Sequence, residues 1–403
     1  MHKKALVAAI GLALGAQLAH AQEEDTGGSD AITLYGKIYP ELHSARGSDP
    51  TPAGSSVATL TSQAPTGVSG IINRTEMNGS NTNLGVRGSE KLGEGLRAIF
   101  QLETEFRVDQ NTTAFAARDS FVGLRKDAWG TIRLGRMDTP FKKWGDTLQF
   151  LGISSGNIVS SSNVLRTVGF GNNSAGSFHL RRANAVDYTS PRWAGFQAAA
   201  QYSTDETDTS TRHPHVWSGG IRYDNGPIYI ALNHERHWDL FGGSRNVPAT
   251  MSNFNDQAVR SKDQATQLDI EWRVGKHKFE FDYIRKEYKE NASITGRFSE
   301  YKNNAYMFVV DSRWNNQWRT MAHFIKSDAG SCARVAAACI TDGLDGTQTS
   351  IGAAYYFSRR TYLFTFVQWI KNGRSALYNS HPTQAPATGE DLLQYAIGMA
   401  HLF

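Results

Sequence analysis

The chain has 403 residues, with 42 Lys and Arg against 38 Asp and Glu, and two cysteines. Both signs of charge are interspersed and no Lys/Arg block occurs, which argues against nucleic acid as a partner. Beyond the N-terminal segment the longest apolar stretches are as short as residues 335–340, far below the ~18 that a membrane-spanning helix needs, so no helical anchor is predicted.

The N-terminus "MHKKALVAAIGLALGAQLAHAQ" combines a basic start (Lys3, Lys4), an apolar stretch to about Leu18 and the small-x-small site Ala19-His20-Ala21. Residues 1–21 therefore read as a cleaved secretory signal peptide, and residues 22–403 as the folded unit. Without Lys3 and Lys4 the remainder carries 40 basic against 38 acidic groups, a net charge of about +2. With 38 Gly, 11% aromatics and only 11 Pro, its composition suits a polar exported β-protein or a barrel with a wet interior.

From there a two-residue hydrophobic period recurs along the chain. In "AIFQLETEF" Phe100, Leu102 and Phe106 alternate with Gln101, Glu103 and Glu105; in "QLDIEWRV" Leu268, Ile270, Trp272 and Val274 alternate with Asp269, Glu271 and Arg273. "HKFEFDYIRK" repeats the pattern with Phe279, Phe281 and Tyr283. One apolar and one charged face is what a sheet separating oil from water requires. Sixteen strands are predicted, near 31–43, 80–90, 95–108, 116–126, 131–140, 179–189, 195–203, 215–224, 227–237, 264–274, 277–287, 302–314, 317–327, 346–357, 360–370 and 390–403. Short links such as "DAWG", "NGP", "GKH", "NNQ" and "SRR" alternate with long ones. An even number of ~10-residue strands, with short turns on one rim and long loops on the other, is the pattern of an all-β, antiparallel transmembrane β-barrel. Trp129, Trp193, Trp314 and Trp318 lie in or beside the short turns, where an aromatic girdle meets the interface. Cys332 and Cys339 in "SCARVAAACI" suit a local disulfide in an exported chain. The chain ends "EDLLQYAIGMAHLF", in the middle of an alternation, so Phe403 is expected in a strand that closes the barrel against the first.

Strand parity names lumen candidates. Leu84 and Val86 outward send Asn83, Gly85 and Arg87 inward, Ile132 and Leu134 outward send Arg133 inward, and Glu103 and Glu105 line the lumen. A one-residue slip of register would reverse these assignments. His213 with His215 falls at a loop entrance, His234 with His237 lacks a third ligand at zinc-site spacing, and the mature chain holds no G-x-S-x-G, H-E-x-x-H or phosphate loop. Neither enzymatic activity nor a cofactor or metal is expected.

Several stretches closely resemble the trimeric general porins of Gram-negative bacteria. They are "ITLYGKI", "NLGVRGSEKLGEGLRAIFQLETEF", "ARDSFVGLRKDAWGTIRLGRMDTP", "RRANAVDYTSPRWAGF", "IGAAYYFSRRTYLF" and the terminal Phe403. The resemblance implies a 16-stranded barrel with long extracellular loops and short periplasmic turns, assembled as a homotrimer among the lipid and lipopolysaccharide of the outer membrane. It implies that loop 3, residues 141–178, folds inward as a constriction, and that the terminal Phe is read by the outer-membrane assembly machinery. By position, Arg118 and Arg181 fall on two of the family's three wall arginines and Lys37 on a further lumen cation, while Asn83 stands where the third arginine is common. Loop 3 contains Asp146 as its one acid, and Arg136, of outward parity, falls where the trimer contact is expected. The expected function is passive diffusion of small hydrophilic solutes and ions with mild anion preference. The alternatives are a substrate-specific channel of the same fold, for instance for small carboxylates, and a non-conducting structural or adhesive barrel.

Overall fold

The computed structural model describes residues 32–79, 81–110, 113–145, 150–152 and 158–403. The predicted signal peptide and Asp146 lie outside the described residues. Sixteen barrel strands follow one another: β1 (Ile32–Ile38 and Glu41–Ser48), β2 (Arg74–Asn78 and Asn83–Gly93), β3 (Leu96–Phe106), β4 (Thr113–Ala114 and Ser120–Lys126), β5 (Gly130–Asp138), β6 (Arg181–Thr189), β7 (Phe196–Thr204) and β8 (His215–Asn225). The second half comprises β9 (Ile228–Trp238), β10 (Ser261–Val274), β11 (His277–Glu290), β12 (Phe298–Arg313), β13 (Trp318–Ser327), β14 (Gly346–Tyr356), β15 (Thr361–Asn372) and β16 (Asp391–Leu402). A short strand Ser331–Arg334 extends β12 outward, and Cys332 and Cys339 beside it are joined by a disulfide.

Each strand pairs antiparallel with the next, and β16 returns to β1 through Lys37↔Leu402, Ile38↔His401 and the run Glu41↔Gly398 to Ser48↔Asp391. The two runs flank Tyr39-Pro40, where proline has no N–H to give to a ladder. Pro40 still accepts from Met399 N at 3.2 Å, and Phe403 exchanges main-chain hydrogen bonds with Gly36 at 3.1 and 3.2 Å. The terminal residue is thus part of the seam, which removes the free edge that hydrocarbon does not tolerate. Glycine is required there: a Cβ on Gly36 would stand 2.6 Å from the Phe403 ring.

Period two sorts the side chains. Ile221, Leu232, Phe308, Ile351 and Ile397 face outward, whereas Ser218, Asn233, Asp311, Gln348 and Gln394 on the same strands are buried inside. Trp129, Trp193, Trp314 and Trp318 are exposed near one rim, as a girdle requires.

Two strands differ from the sequence expectation. The predicted strand 116–126 is interrupted: Ala116 has φ 53° and regular pairing resumes only at Ser120. Between β5 and β6 a bulge shifts the register, because Gly135 pairs with Ala185 but Met137 with Arg182, so that Ala183 and Asn184 of β6, the latter at φ 50°, stand against Arg136 alone. A bulge sets two residues of one strand against one of its partner, so the alternation is interrupted in β6 between Ala185 and Arg182.

Candidate functional site

The lumen is divided by the segment between β5 and β6. It begins as α1 (Pro140–Gly145), packed under β8 and β9, where Phe141 N donates to Ser218 Oγ at 3.1 Å and Tyr229 Oη donates to the Trp144 carbonyl at 2.7 Å. Phe150 then meets Phe366 of β15 edge-on, and Gln348 of β14 donates to the Ser160 carbonyl at 3.2 Å. On its return the segment is pinned to β10 and β11. Arg166, fully buried, donates to Gln267 Oε1 at 2.9 Å, to Ser161 Oγ at 3.1 Å and to the Gly145 carbonyl. Lys286 Nζ donates to the carbonyls of Leu165 and Thr167 at 2.9 and 2.6 Å, and Tyr288 Oη to that of Gly176 at 2.6 Å. Phe170 packs on Tyr301, and Phe178 stacks on His237. The described parts of the loop thus line the wall from β8 to β15.

The wall from β1 to β6 carries a cluster of ionic groups around Arg118 and Arg181. Arg118 lies on the irregular stretch before β4, its Nε paired with Glu103 Oε1 and its Nη1 3.9 Å from Glu105 Oε2. Glu103 is itself positioned by Tyr35, whose hydroxyl donates to Oε2 at 2.8 Å. Tyr35 reaches it across Gly85, its Cα partner, where a Cβ would stand 2.3 Å from the ring. That close approach explains why a strand interior holds glycine at this point. Arg181 Nε donates to Asp119 Oδ1 at 2.6 Å and its Nη2 lies 3.0 Å from Asp138 Oδ1. Lys142 of α1 reaches the same Asp138 oxygen at 2.9 Å, which couples loop 3 to this wall. Burial holds the Lys142 ammonium below the usual lysine range, against the pull of Asp138, and burial with the nearby Lys142 and Arg166 cations holds His179 well below the usual imidazole range.

The structure brings Arg118, Glu103, Glu105 and Arg181 to one wall, with Lys37 and Asn83 beside them as Cα partners on β1 and β2. Arg133 is placed differently. It is 5% exposed, forms hydrogen bonds to Asp187 through Nε at 2.9 Å and Nη2 at 2.5 Å, and donates to Thr189 Oγ1 at 2.8 Å. Arg136 donates to the Ala117 carbonyl at 2.9 Å. Sequence reasoning missed Asp119, Asp138 and Lys142. The signal was present, because Asp119 adjoins Arg118 and "MDTPFKK" puts an Asp four residues before a Lys.

A profile of the Gram-negative porin family matches residues 5–375. The chain is 26% identical to major outer membrane protein P.IB of Neisseria gonorrhoeae, covering 86% of this chain and 90% of that one. It is 34% identical to outer membrane porin protein 32 of Delftia acidovorans over 41% of this chain and 47% of that one. Among solved structures, an anion-selective porin from Comamonas acidovorans superposes with TM-score 0.69 at 21% identity, covering 93% of this chain and 99% of that one. The trimer form of OmpT from Vibrio cholerae gives 0.59 at 11% identity, covering 93% and 99%.

Proposed function

Because the chain belongs to the Gram-negative porin family, we propose that its lumen passes small hydrophilic solutes and inorganic ions with a mild preference for anions. As a Gram-negative porin it is a passive channel in the outer membrane. The observation that carries the preference is the placement of Arg118 and Arg181 on the wall that loop 3 leaves open, with Lys142 and Lys37 near them. Glu103, Glu105, Asp119 and Asp138 are interleaved with these cations on the same wall, so the field is nearly balanced and the preference small. Two charges ~4 Å apart interact by ~1 kcal/mol in bulk water and ~4 kcal/mol at an effective dielectric of 20, so one unbalanced residue in a narrow passage biases which ions enter. The anion selectivity of the Comamonas acidovorans porin supports the same sign.

The assembly is a homotrimer on this reading, with Arg136 beside the contact, residues 1–21 as the export leader and Phe403 as the assembly mark. The trimer form of OmpT supports the oligomeric state. The zero-current potential of the purified protein in planar bilayers under a KCl gradient tests the selectivity. The expected sign is that of chloride, and clear cation selectivity overturns it.

A second reading, a channel for small carboxylates, is favoured by the way the outer loops close on loop 3. Ser62 N donates to the Phe170 carbonyl at 2.9 Å and Leu377 N to that of Gly169 at 2.7 Å, while Thr59 N joins two outer loops by donating to the Ile340 carbonyl at 2.9 Å. Liposome swelling that is faster with small carboxylates than with neutral sugars of equal size selects this reading.

A further inference from the structure

Three residues far apart in sequence converge: His43 of β1, Glu76 of β2 and His381 from the segment between β15 and β16. One donor atom from each lies within 4.8 Å of the other two. His43 Nδ1 stands 3.8 Å from Glu76 Oε1, and His381 Nε2 stands 3.9 Å from the same oxygen. These gaps are too long for hydrogen bonds. They are close to the separation of two ligands that share one ion at ~2.0–2.2 Å from each.

The surroundings prepare His43 and Glu76 as ligands. His43 is fully buried and its Nδ1 has no hydrogen-bond partner. Its other nitrogen, Nε2, donates to Gln394 Oε1 at 2.8 Å, an orientation fixed because Gln394 Nε2 donates to Gln368 Oε1 at 2.9 Å and to Ser380 Oγ. The ring proton is thereby held on Nε2 and a bare lone pair on Nδ1 points at Glu76, the arrangement that second-sphere carbonyls impose on metal-binding imidazoles. Arg74 takes the far oxygen of Glu76, Oε2, at 2.7 Å, while Oε1, which also accepts from Thr383 Oγ1 at 3.3 Å, faces both rings. His381 requires a change. Its Nδ1 accepts from the main-chain N–H of Thr383 and Gln384 at 3.2 and 3.1 Å and its Nε2 lies 3.2 Å from Gln384 Nε2, so metal capture at Nε2 displaces the Gln384 amide, moves the ring proton to Nδ1 and resets residues 381–384.

We propose that His43, Glu76 and His381 form a binding site for a late first-row divalent cation, with Zn²⁺ the ion that two imidazoles, one carboxylate and an open fourth position fit. The ion ties the segment between β15 and β16 to the wall formed by β1 and β2, so occupancy stiffens the outer mouth.

The test uses untagged, folded, EDTA-stripped protein in detergent, titrated calorimetrically with ZnCl2 and assayed for retained zinc after gel filtration. The expected result is one Zn²⁺ per protomer, with affinity reduced at least tenfold in His381→Ala and in Glu76→Gln, and unchanged in His213→Ala. Heat-modifiable migration checks that each variant is folded; if Glu76→Gln does not fold, His381→Ala decides. Failure of the folded wild type to retain zinc, or full affinity in folded His381→Ala, overturns the proposal.

Discussion

The two halves of the lumen wall are built on opposite principles. From β8 to β15 the described parts of loop 3 line the inner face, and Lys286, Tyr288, Gln348 and Tyr229 of that wall all bond to loop carbonyls. From β1 to β6 the polar side chains pair mostly with one another, across neighbouring strands. A charge on the covered wall acts through the position of the loop, whereas a charge on the open wall acts directly on the passing ion.

This contrast is broken most severely at Arg166. Arg166→Ala removes a buried guanidinium with at least three acceptors and is expected to destabilise the barrel by roughly 3 kcal/mol while raising single-channel conductance. Urea unfolding in detergent and bilayer recordings measure the two effects. Unchanged conductance would show that this anchor does not set the aperture.

Arg133→Ala separates a wall ion pair from a selectivity group. It leaves Asp187 buried without its partner, so a loss of about 3 kcal/mol is expected with the zero-current potential unaltered. A marked change of ion selectivity would return Arg133 to the passage.

Charge reversal on the open wall has the opposite signature. Arg118→Glu and Arg181→Glu should each lower the chloride-to-potassium permeability ratio several-fold, on the order of 1 kcal/mol, and the pair together should invert its sign. Measured under a KCl gradient, an unchanged ratio in both variants would place the ion path elsewhere.

The smallest effect is on pH. Lys142 has its pKa lowered by burial, so its positive charge is lost sooner than that of an ordinary lysine as pH rises, while the arginines keep theirs. Anion preference should therefore weaken as pH rises, at a lower pH than an ordinary lysine would produce and reversibly, and Lys142→Arg should flatten the curve. His179, held neutral well below its ordinary range, should produce no step near pH 6.5.

Much of this was legible in residue order, and the failures have a physical pattern. Alternation in "QLDIEWRV" and "HKFEFDYIRK" assigned inside and outside correctly because a ladder without bulges preserves parity over its whole length. That regularity ends in β6, where Ala183 and Asn184 stand against the single residue Arg136 of β5. The cluster around Arg181 was only half visible, since Asp119 and Asp138 come from neighbouring strands and Lys142 from a helix. His43, Glu76 and His381 could not be associated at all, because barrel closure is what brings a C-terminal loop against the first two strands.

The sequence by itself determined the number of strands, their faces, the two rims and the closing role of Phe403. Each of these follows from a local period of two and from the rule that backbone in hydrocarbon must be paired. Only the tertiary structure decided the course of loop 3, the separation of Arg133 from Arg118, and the meeting of the two histidines with Glu76. Those depend on contacts between residues up to several hundred positions apart, which no local pattern encodes.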